Sequence, residues 1–220
     1  MYTVKDITDL RQRTSAGMMD CKKALESAGG DTEKAIEWLR ENGLAKAAKK
    51  AGRLASEGIV DSYIHLGGKI GVLVEVNCET DFVGRSDSFK ALVHDVAMQI
   101  AASKPLYVRR EDVPAEEVEA ERKIMVAEAQ NEPNPKPAAI MNKIIEGKIN
   151  KFYKEICLME QVFVKDNTKT IEQLVAEATG TIGEKISIRR FVRFEMGEGL
   201  EKRANNFADE VMDQVNKMKL

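Results

Sequence analysis

The chain has 220 residues, 43% of them hydrophobic but only 5% aromatic, and 34 basic side chains stand against 36 acidic ones for a formal net charge of −2. Such a balance argues against an extended nucleic-acid surface and leaves room only for a local basic patch. Length and apolar content fit one large domain, or a core with smaller attachments, filled mainly by Leu, Ile, Val, Ala and ten Met.

Cys21, Cys78 and Cys157 are far apart and odd in number, the pattern of reduced, buried thiols in a cytosolic-type compartment. The opening MYTVKDITDL has no apolar h-region and carries acids. No apolar run is long enough to span a bilayer, so a cytoplasmic protein without a membrane partner is expected.

Residues 1–54 read as a small helical module with a basic linker helix. Val4, Ile7 and Leu10 mark a first helix that stops before the Thr14–Gly17 turn. Ser15 or Gly17 introduces a second, with Met18, Met19, Cys21, Ala24 and Leu25 as apolar positions and Gly29–Gly30 as its end. Asp31 caps a third, whose inward side is Ala35, Ile36 and Leu39 beside Trp38. Gly43–Gly52 continues helical, with Lys46, Lys49 and Lys50 on one face and Leu44, Ala47, Ala48 and Ala51 nearer the other. That lysine face is either solvated or a contact for a partner.

Residues 55–112 carry the first part of a sheet core. In Gly58–Leu66, Ile59, Asp61, Tyr63 and His65 alternate with Val60, Ser62, Ile64 and Leu66, and Gly67–Gly68 turns the chain back into Lys69–Val76. A helix follows from about Asp87 to Ser103, capped by Ser86 or Asp87, with Phe89, Leu92, Val93, Val96, Ala97 and Ile100 on its apolar face, and Lys104–Pro105 ends it. Between strand and helix, Asn77–Arg85 reads as a polar junction that holds one large apolar side chain, Phe82, between Asp81 and Val83. Its ring points either inward or at a partner, and Asp81 either meets that partner or caps the next turn.

Residues 113–156 read as a hairpin of two long helices. Pro114 starts Ala115–Gln130, whose Val118, Met125 and Ala129 share a side. Asn131–Pro137, NEPNPKP, breaks the helix, and Ile140, Met141, Ile144, Ile145, Lys148, Ile149 and Phe152 resume it. The pair either projects as an antiparallel arm packed on itself or lies flat on the sheet. Residues 157–198 return to the core through a short strand at Cys157–Val164, a helix at Thr170–Ala178 and a strong strand at Ile186–Met196. In that last strand Ile186, Ile188, Arg190, Val192, Phe194 and Met196 alternate with Ser187, Arg189, Phe191, Arg193 and Glu195. Residues 199–220 form a terminal helix with Leu200, Ala204, Phe207, Ala208, Val211, Met212 and Val215 on a stripe.

Catalytic chemistry is hard to assemble from these residues. His65 and His94 stand apart, and no Cys or His lies at zinc spacing. GGKIG at Gly67–Gly71 and GTIGEK at Gly180–Lys185 look superficially like phosphate loops but lack the order GxxxxGK(S/T). No nucleophile elbow or dinucleotide fingerprint is present. The expected class is therefore α+β, not an enzyme, binding neither cofactor nor metal, and built for protein contacts. An RNA- or ribosome-binding module using Lys46, Lys49, Lys50, Arg189, Arg190 and Arg193 is the alternative.

Several motifs in order resemble the translation elongation factor Ts family, the guanine nucleotide exchange factors of elongation factor Tu. They are Thr8–Lys50 almost throughout, VNCETDFV at Val76–Val83, AASKPLYVRREDVPAEEVE at Ala101–Glu119 and FVRFEMGEGLE at Phe191–Glu201. The resemblance implies that the first module is ubiquitin-associated-like and docks on the GTPase through Arg11, Met18 and Met19. It implies that Thr80, Asp81, Phe82 and Val83 contact the partner, with Asp81 and Phe82 disturbing its magnesium and phosphate coordination. It also implies a protruding coiled coil and a carboxy-terminal contact module. Longer members carry a second core subdomain, whereas HDVAMQIAASK, His94–Lys104, follows the TDFV helix directly. This resembles the short form, in which pairing of two chains supplies the missing half, so a homodimer or a two-plus-two complex with elongation factor Tu is implied.

Overall fold

The computed structural model describes residues 2–14, 16–131 and 137–200. Helices α1 (Val4–Thr14), α2 (Met18–Ser27) and α3 (Thr32–Lys50) enclose a small core in which Leu10, Cys21, Ala24, Leu25 and Ala35 are fully buried. Burying a leucine contributes about 1.5–3 kcal/mol, so Leu10 and Leu25 supply much of what holds so thin a cluster. The Asp31 carboxylate accepts from the amides of Glu33 and Lys34 and starts α3, while Gly17 precedes α2 without any side-chain cap.

α3 runs unbroken through the basic segment and crosses α8 (Ile171–Ile182). The crossing is set by glycine on both helices, since a Cβ on Gly180 would lie 2.7 Å from the Gly43 Cα. The side of the basic helix that meets α8 is therefore the Gly43 side, while Leu44 is 42% exposed. Lys46, expected on a solvated or partner-facing surface, pairs with Asp20 of α2 at 2.8 Å.

The core sheet has the order β1 (Glu57–His65), β2 (Ile70–Cys78), β5 (Ser187–Glu195), antiparallel throughout. Val72, Val74 and Val76 of the central strand are buried beneath α5 (Asp87–Ser103), whose Phe89, Val93, Val96, Ala97 and Ile100 are fully enclosed. β-Branched residues suit the pleat, and the apolar stripe of α5 supplies the cover a small sheet needs. Ser86 caps α5 through the Phe89 amide, and Lys104, in the left-handed region at φ 50°, ends it before Pro105.

Strict alternation in the last strand does not hold. Glu75 pairs with Arg190 but Val76 pairs with Ile188, so Arg189 is an extra residue on β5. A bulge of this kind exchanges the faces of the strand on either side of it. Ile186 and Ile188 are buried and Phe191 packs against the core, whereas Val192, Phe194 and Met196 turn outward. The face away from α5 consequently presents Val60, Ile64, Leu73, Val192 and Phe194, all between 48% and 71% exposed. Arg189 and Arg190 close on Glu75 at 2.7 Å each.

Helices α6 (Ala115–Gln130) and α7 (Ala138–Ile156) pack on one another as an antiparallel hairpin. Val118 clusters with Phe152 and Tyr153 near its base, and Met125 with Ile145 and Ile149 further out. Arg110 fastens the base by gripping both carboxylate oxygens of Glu160, donating to Asn150 at 2.9 Å and lying 4.5 Å over the Tyr153 ring. The short strand expected over Cys157–Val164 is only β3, Val162–Phe163, preceded by a 3-10 turn at Leu158–Glu160. It pairs with β4, Asp166–Thr170, which the sequence did not announce. Buried Gln99 explains the deviation: its amide donates to Ser103, Gln161 and the Val162 carbonyl and accepts from the Val164 amide at 2.9 Å. A buried amide needs such partners, and the chain bends to provide them. The expected terminal helix lies, beyond Leu200, outside the described residues, as does most of the NEPNPKP tip. The class is α+β, as expected.

Two outcomes follow from this packing. Gly180→Ala should gain about 1 kcal/mol in helix propensity yet lose about 1–3 kcal/mol by overpacking against Gly43, so Tm should fall; a rise would show that the helices do not cross this closely. The guanidinium of Arg189, then that of Arg190, holds the Glu75 carboxyl below the usual glutamate range. A lowered folded pKa stabilises above the unfolded value and loses that contribution as pH falls through the folded one. Between about pH 5 and pH 3 the Tm of the wild type should therefore drop more steeply than that of Glu75→Gln, measured by calorimetry; parallel slopes would contradict the pairing.

Candidate functional site

The polar junction expected at Asn77–Arg85 is more ordered than a loop. β2 continues through Cys78, and Asp81–Arg85 forms a helix of its own, α4, only 5 residues long. Thr80 stands at its N-cap in extended backbone and accepts weakly from the Val83 amide at 3.5 Å. Val83 packs on the main core, and Gly84 is buried, its added Cβ only 3.4 Å from the Gly58 carbonyl oxygen. These two residues seat the helix on β1 and fix which way the others face.

Phe82 faces away. It is 82% exposed, the most exposed aromatic among the large hydrophobic residues of the described chain, so the inward reading of its ring does not hold for the chain alone. Asp81 beside it is half-exposed and pairs with Arg85 at 2.8 Å, one helical turn on. A shallow groove flanked by Ser86, Ser88 and Ile182 runs next to the ring. Val83, expected to touch a partner with Asp81 and Phe82, is partly buried against its own core and also borders the groove beside the ring.

What holds α4 in place comes from a part of the chain far away in sequence. The Glu184 carboxylate, in the loop between α8 and β5, accepts from the Glu79 amide at 3.1 Å, the Thr80 amide at 2.9 Å and the Thr80 hydroxyl at 2.7 Å. The Glu79 carboxylate in turn accepts from the Lys185 amide at 2.6 Å and meets Arg53 at 3.3 Å. The Lys185 amide, and then the Arg53 charge, hold the Glu79 carboxyl below its usual range. Lys185 Nζ donates to the Arg53 carbonyl at 2.7 Å. Burial raises the Cys78 thiol, which donates to the Thr80 carbonyl at 3.1 Å and is poorly placed to act as a nucleophile.

The sequence reading missed Glu79, Glu184, Lys185 and Arg53. GTIGEK, which resembles a phosphate loop only superficially, has a structural role: Gly183 ends α8 in the left-handed region at φ 91° and delivers Glu184 to the neighbouring strand. Arg11, Met18 and Met19 lie on a separate element group, on α1 and at the start of α2. All three are exposed, Met18 at 43% and Met19 at 64%, and Arg11 forms no ion pair among the described residues.

Chemically, this arrangement offers an aromatic ring and an acid on a rigid support. Among the described residues no group of His, Cys, Asp and Glu converges as a metal site, and no helix is long and apolar enough to cross a membrane. His65 accepts from or donates to the Tyr63 hydroxyl at 2.9 Å, and His94 meets the Tyr63 ring edge-on, so both are occupied within the fold.

The family model described as Elongation factor TS matches residues 3–198. The chain is 61% identical to an Elongation factor Ts from Desulforamulus reducens over 209 residues, 95% of each chain. It is 59% identical to that of Heliobacterium modesticaldum over 99% of this chain and 100% of the relative. The protein of the same name from Acetivibrio thermocellus is 60% identical over 98% of this chain and its own full length. With the match spanning sheet, hairpin and TDFV helix alike, the chain belongs to the elongation factor Ts family of translation elongation factors.

Proposed function

We propose that this chain is a cytoplasmic guanine nucleotide exchange factor that binds elongation factor Tu with GDP and promotes release of the nucleotide. The observation that carries this reading is Phe82, an aromatic side chain 82% exposed on a helix whose backbone is held at both ends. A ring so placed wedges between elements of the GTPase that support its magnesium ion, while Asp81 reorients a polar group beside it. Magnesium demands near-octahedral coordination, so a small displacement of its surroundings loosens the phosphates it bridges. The factor itself then needs no metal, cofactor or nucleophile, since GDP and Mg2+ belong to the partner and no covalent bond is made or broken.

Linkage sets the sign of the effect. A factor that weakens nucleotide in the ternary state is weakened equally by nucleotide, so the two displace one another. Residues 1–54 serve as the docking module, with Arg11, Met18 and Met19 as its contacts, and the sheet core, the 113–156 arm and the 199–220 segment complete the organisation. The RNA-binding alternative is less well supported. Arg189 and Arg190 are engaged with Glu75, Arg193 with Glu195, and Lys46 with Asp20.

A second copy of this chain is the occupant that best suits the open sheet face. Val60, Ile64, Leu73, Val192 and Phe194 form an apolar patch across three strands, and one sheet face against another is a standard way to bury such a patch. The short core inferred from His94–Lys104 fits the same pairing.

Phe82→Ala should stay folded and lose roughly 2 kcal/mol or more of the interaction that drives exchange. Stopped-flow release of a fluorescent GDP from elongation factor Tu measures this, and equal rates for mutant and wild type would remove the wedge. Phe194→Glu should halve the mass seen by light scattering at micromolar concentration; a monomeric wild type would remove the pairing.

A further inference from the structure

The Phe82 helix has one turn and no hydrophobic stripe of its own, so what aims it must lie outside it. An isolated turn gains too little from its own hydrogen bonds to persist. Val83 and Gly84 anchor the middle of the turn on β1, but they leave its entry free to swing. At that entry, among the described residues, the carboxylate of Glu184 takes the amides of Glu79 and Thr80 and also the Thr80 hydroxyl. The same loop repays the contact through the Lys185 amide, which donates to the Glu79 carboxylate. Four hydrogen bonds therefore run both ways between the end of β2 and the 184–185 loop, and Thr80 cannot shift as a cap without breaking the two it makes itself.

We propose that Glu184 is a positioning residue for nucleotide exchange: it fixes the entry to the TDFV helix and thereby the direction in which Phe82 and Asp81 project. Glu184 is half-buried, lies beside the groove that flanks Phe82, and is separated from Thr80 by 104 positions in sequence. It acts through the ring and not by touching the nucleotide. The proposal rests on the exchange reading given above, and it adds where the precision of that wedge comes from. Ion-assisted acceptance of backbone N–H groups is roughly twice as strong as a neutral bond, which is why a carboxylate suits this place better than an amide.

The experiment compares wild type, Glu184→Gln and Glu184→Ala in fluorescent-GDP release from elongation factor Tu over a range of factor concentrations. A misdirected wedge still allows docking through the rest of the surface. The plateau rate should therefore fall about tenfold or more for Glu184→Ala while the half-saturating concentration moves less than about threefold, with Glu184→Gln between the two. In a Phe82→Ala background the same substitution should cost less than about twofold further, because its effect passes through the ring. Hydrogen exchange on the free factor should show faster exchange at amides 79–85 in Glu184→Ala and an unchanged α5, which excludes general unfolding. An intact plateau, or an undiminished loss in the Phe82→Ala background, overturns the proposal. If the wild type itself fails to accelerate release, the exchange reading falls instead; unchanged exchange at amides 79–85 would then show separately that the clasp does not order the helix.

Discussion

Where β2 leaves the sheet, the amides of Glu79 and Thr80 lose the ladder that paired the residues before them. A buried amide left without an acceptor costs about 1–3 kcal/mol, and two of them side by side would make the end of the strand the weakest point of the core. Glu184 removes that cost with a single carboxylate, and the Glu79 carboxylate does the equivalent for the Lys185 amide. Closing a loop of more than a hundred residues is entropically affordable once the sheet has already brought β5 beside β2, since the cost grows only with the logarithm of length. The β2–β5 pairing therefore comes before the clasp in the logic of the fold, and the direction of Phe82 comes after it.

The loop that carries Glu184 is also the end of α8, and the other side of α8 receives α3 at the Gly180–Gly43 crossing. Arg53, just past α3, joins the same cluster through Glu79 and Lys185. One helix thus links both groups of residues proposed above as partner contacts, the exposed Arg11, Met18 and Met19 on one side and Phe82 on the other. If both groups contact one GTPase, as proposed above, a fixed spacing would raise the effective concentration of the second contact once the first is made. Glycine on both helices serves this directly, because it lets backbone meet backbone and leaves no side chain to act as a flexible spacer.

Periodicity made much of the fold readable. The α5 stripe, its Ser86 cap, the glycine turn between β1 and β2 and the 115–130 and 138–156 helices all follow from local chemistry, with side chains and backbone agreeing over one or two turns. Phe82 was legible as an unusual apolar residue in a polar stretch, although whether it faced inward required the resemblance to decide. What escaped was everything set by distant partners. The bulge at Arg189 depends on Glu75 across the strand pair, so alternation alone assigned Val192 and Phe194 to the wrong company. Gln99 is a polar residue on the buried side of α5, and its partners, the Gln161 side chain, the Val162 carbonyl and the Val164 amide, lie more than sixty residues away in sequence. Glu184 had no local signature at all, because a carboxylate that serves an amide more than a hundred residues away looks in sequence like any exposed acid.

The two apolar surfaces left open differ in a way that suits different partners. Phe82 is a single exposed ring flanked by the Asp81–Arg85 pair, so its area is small, its neighbours are charged and its helix is tied to the Glu184 loop. Binding through it forfeits little conformational entropy and buries little surface, which favours a contact that forms and dissolves in each cycle. The sheet face is broader, spans three strands and carries few charges near its centre, and at about 25 cal/mol per Å2 of apolar area its burial rewards a lasting association. On the exchange reading proposed above, the factor would have to let go of its GTPase when nucleotide returns, whereas a paired second copy could stay in place. The distribution of apolar surface, one ring on the entry to a clamped helix and a wide patch across the sheet, fits that proposed division of labour.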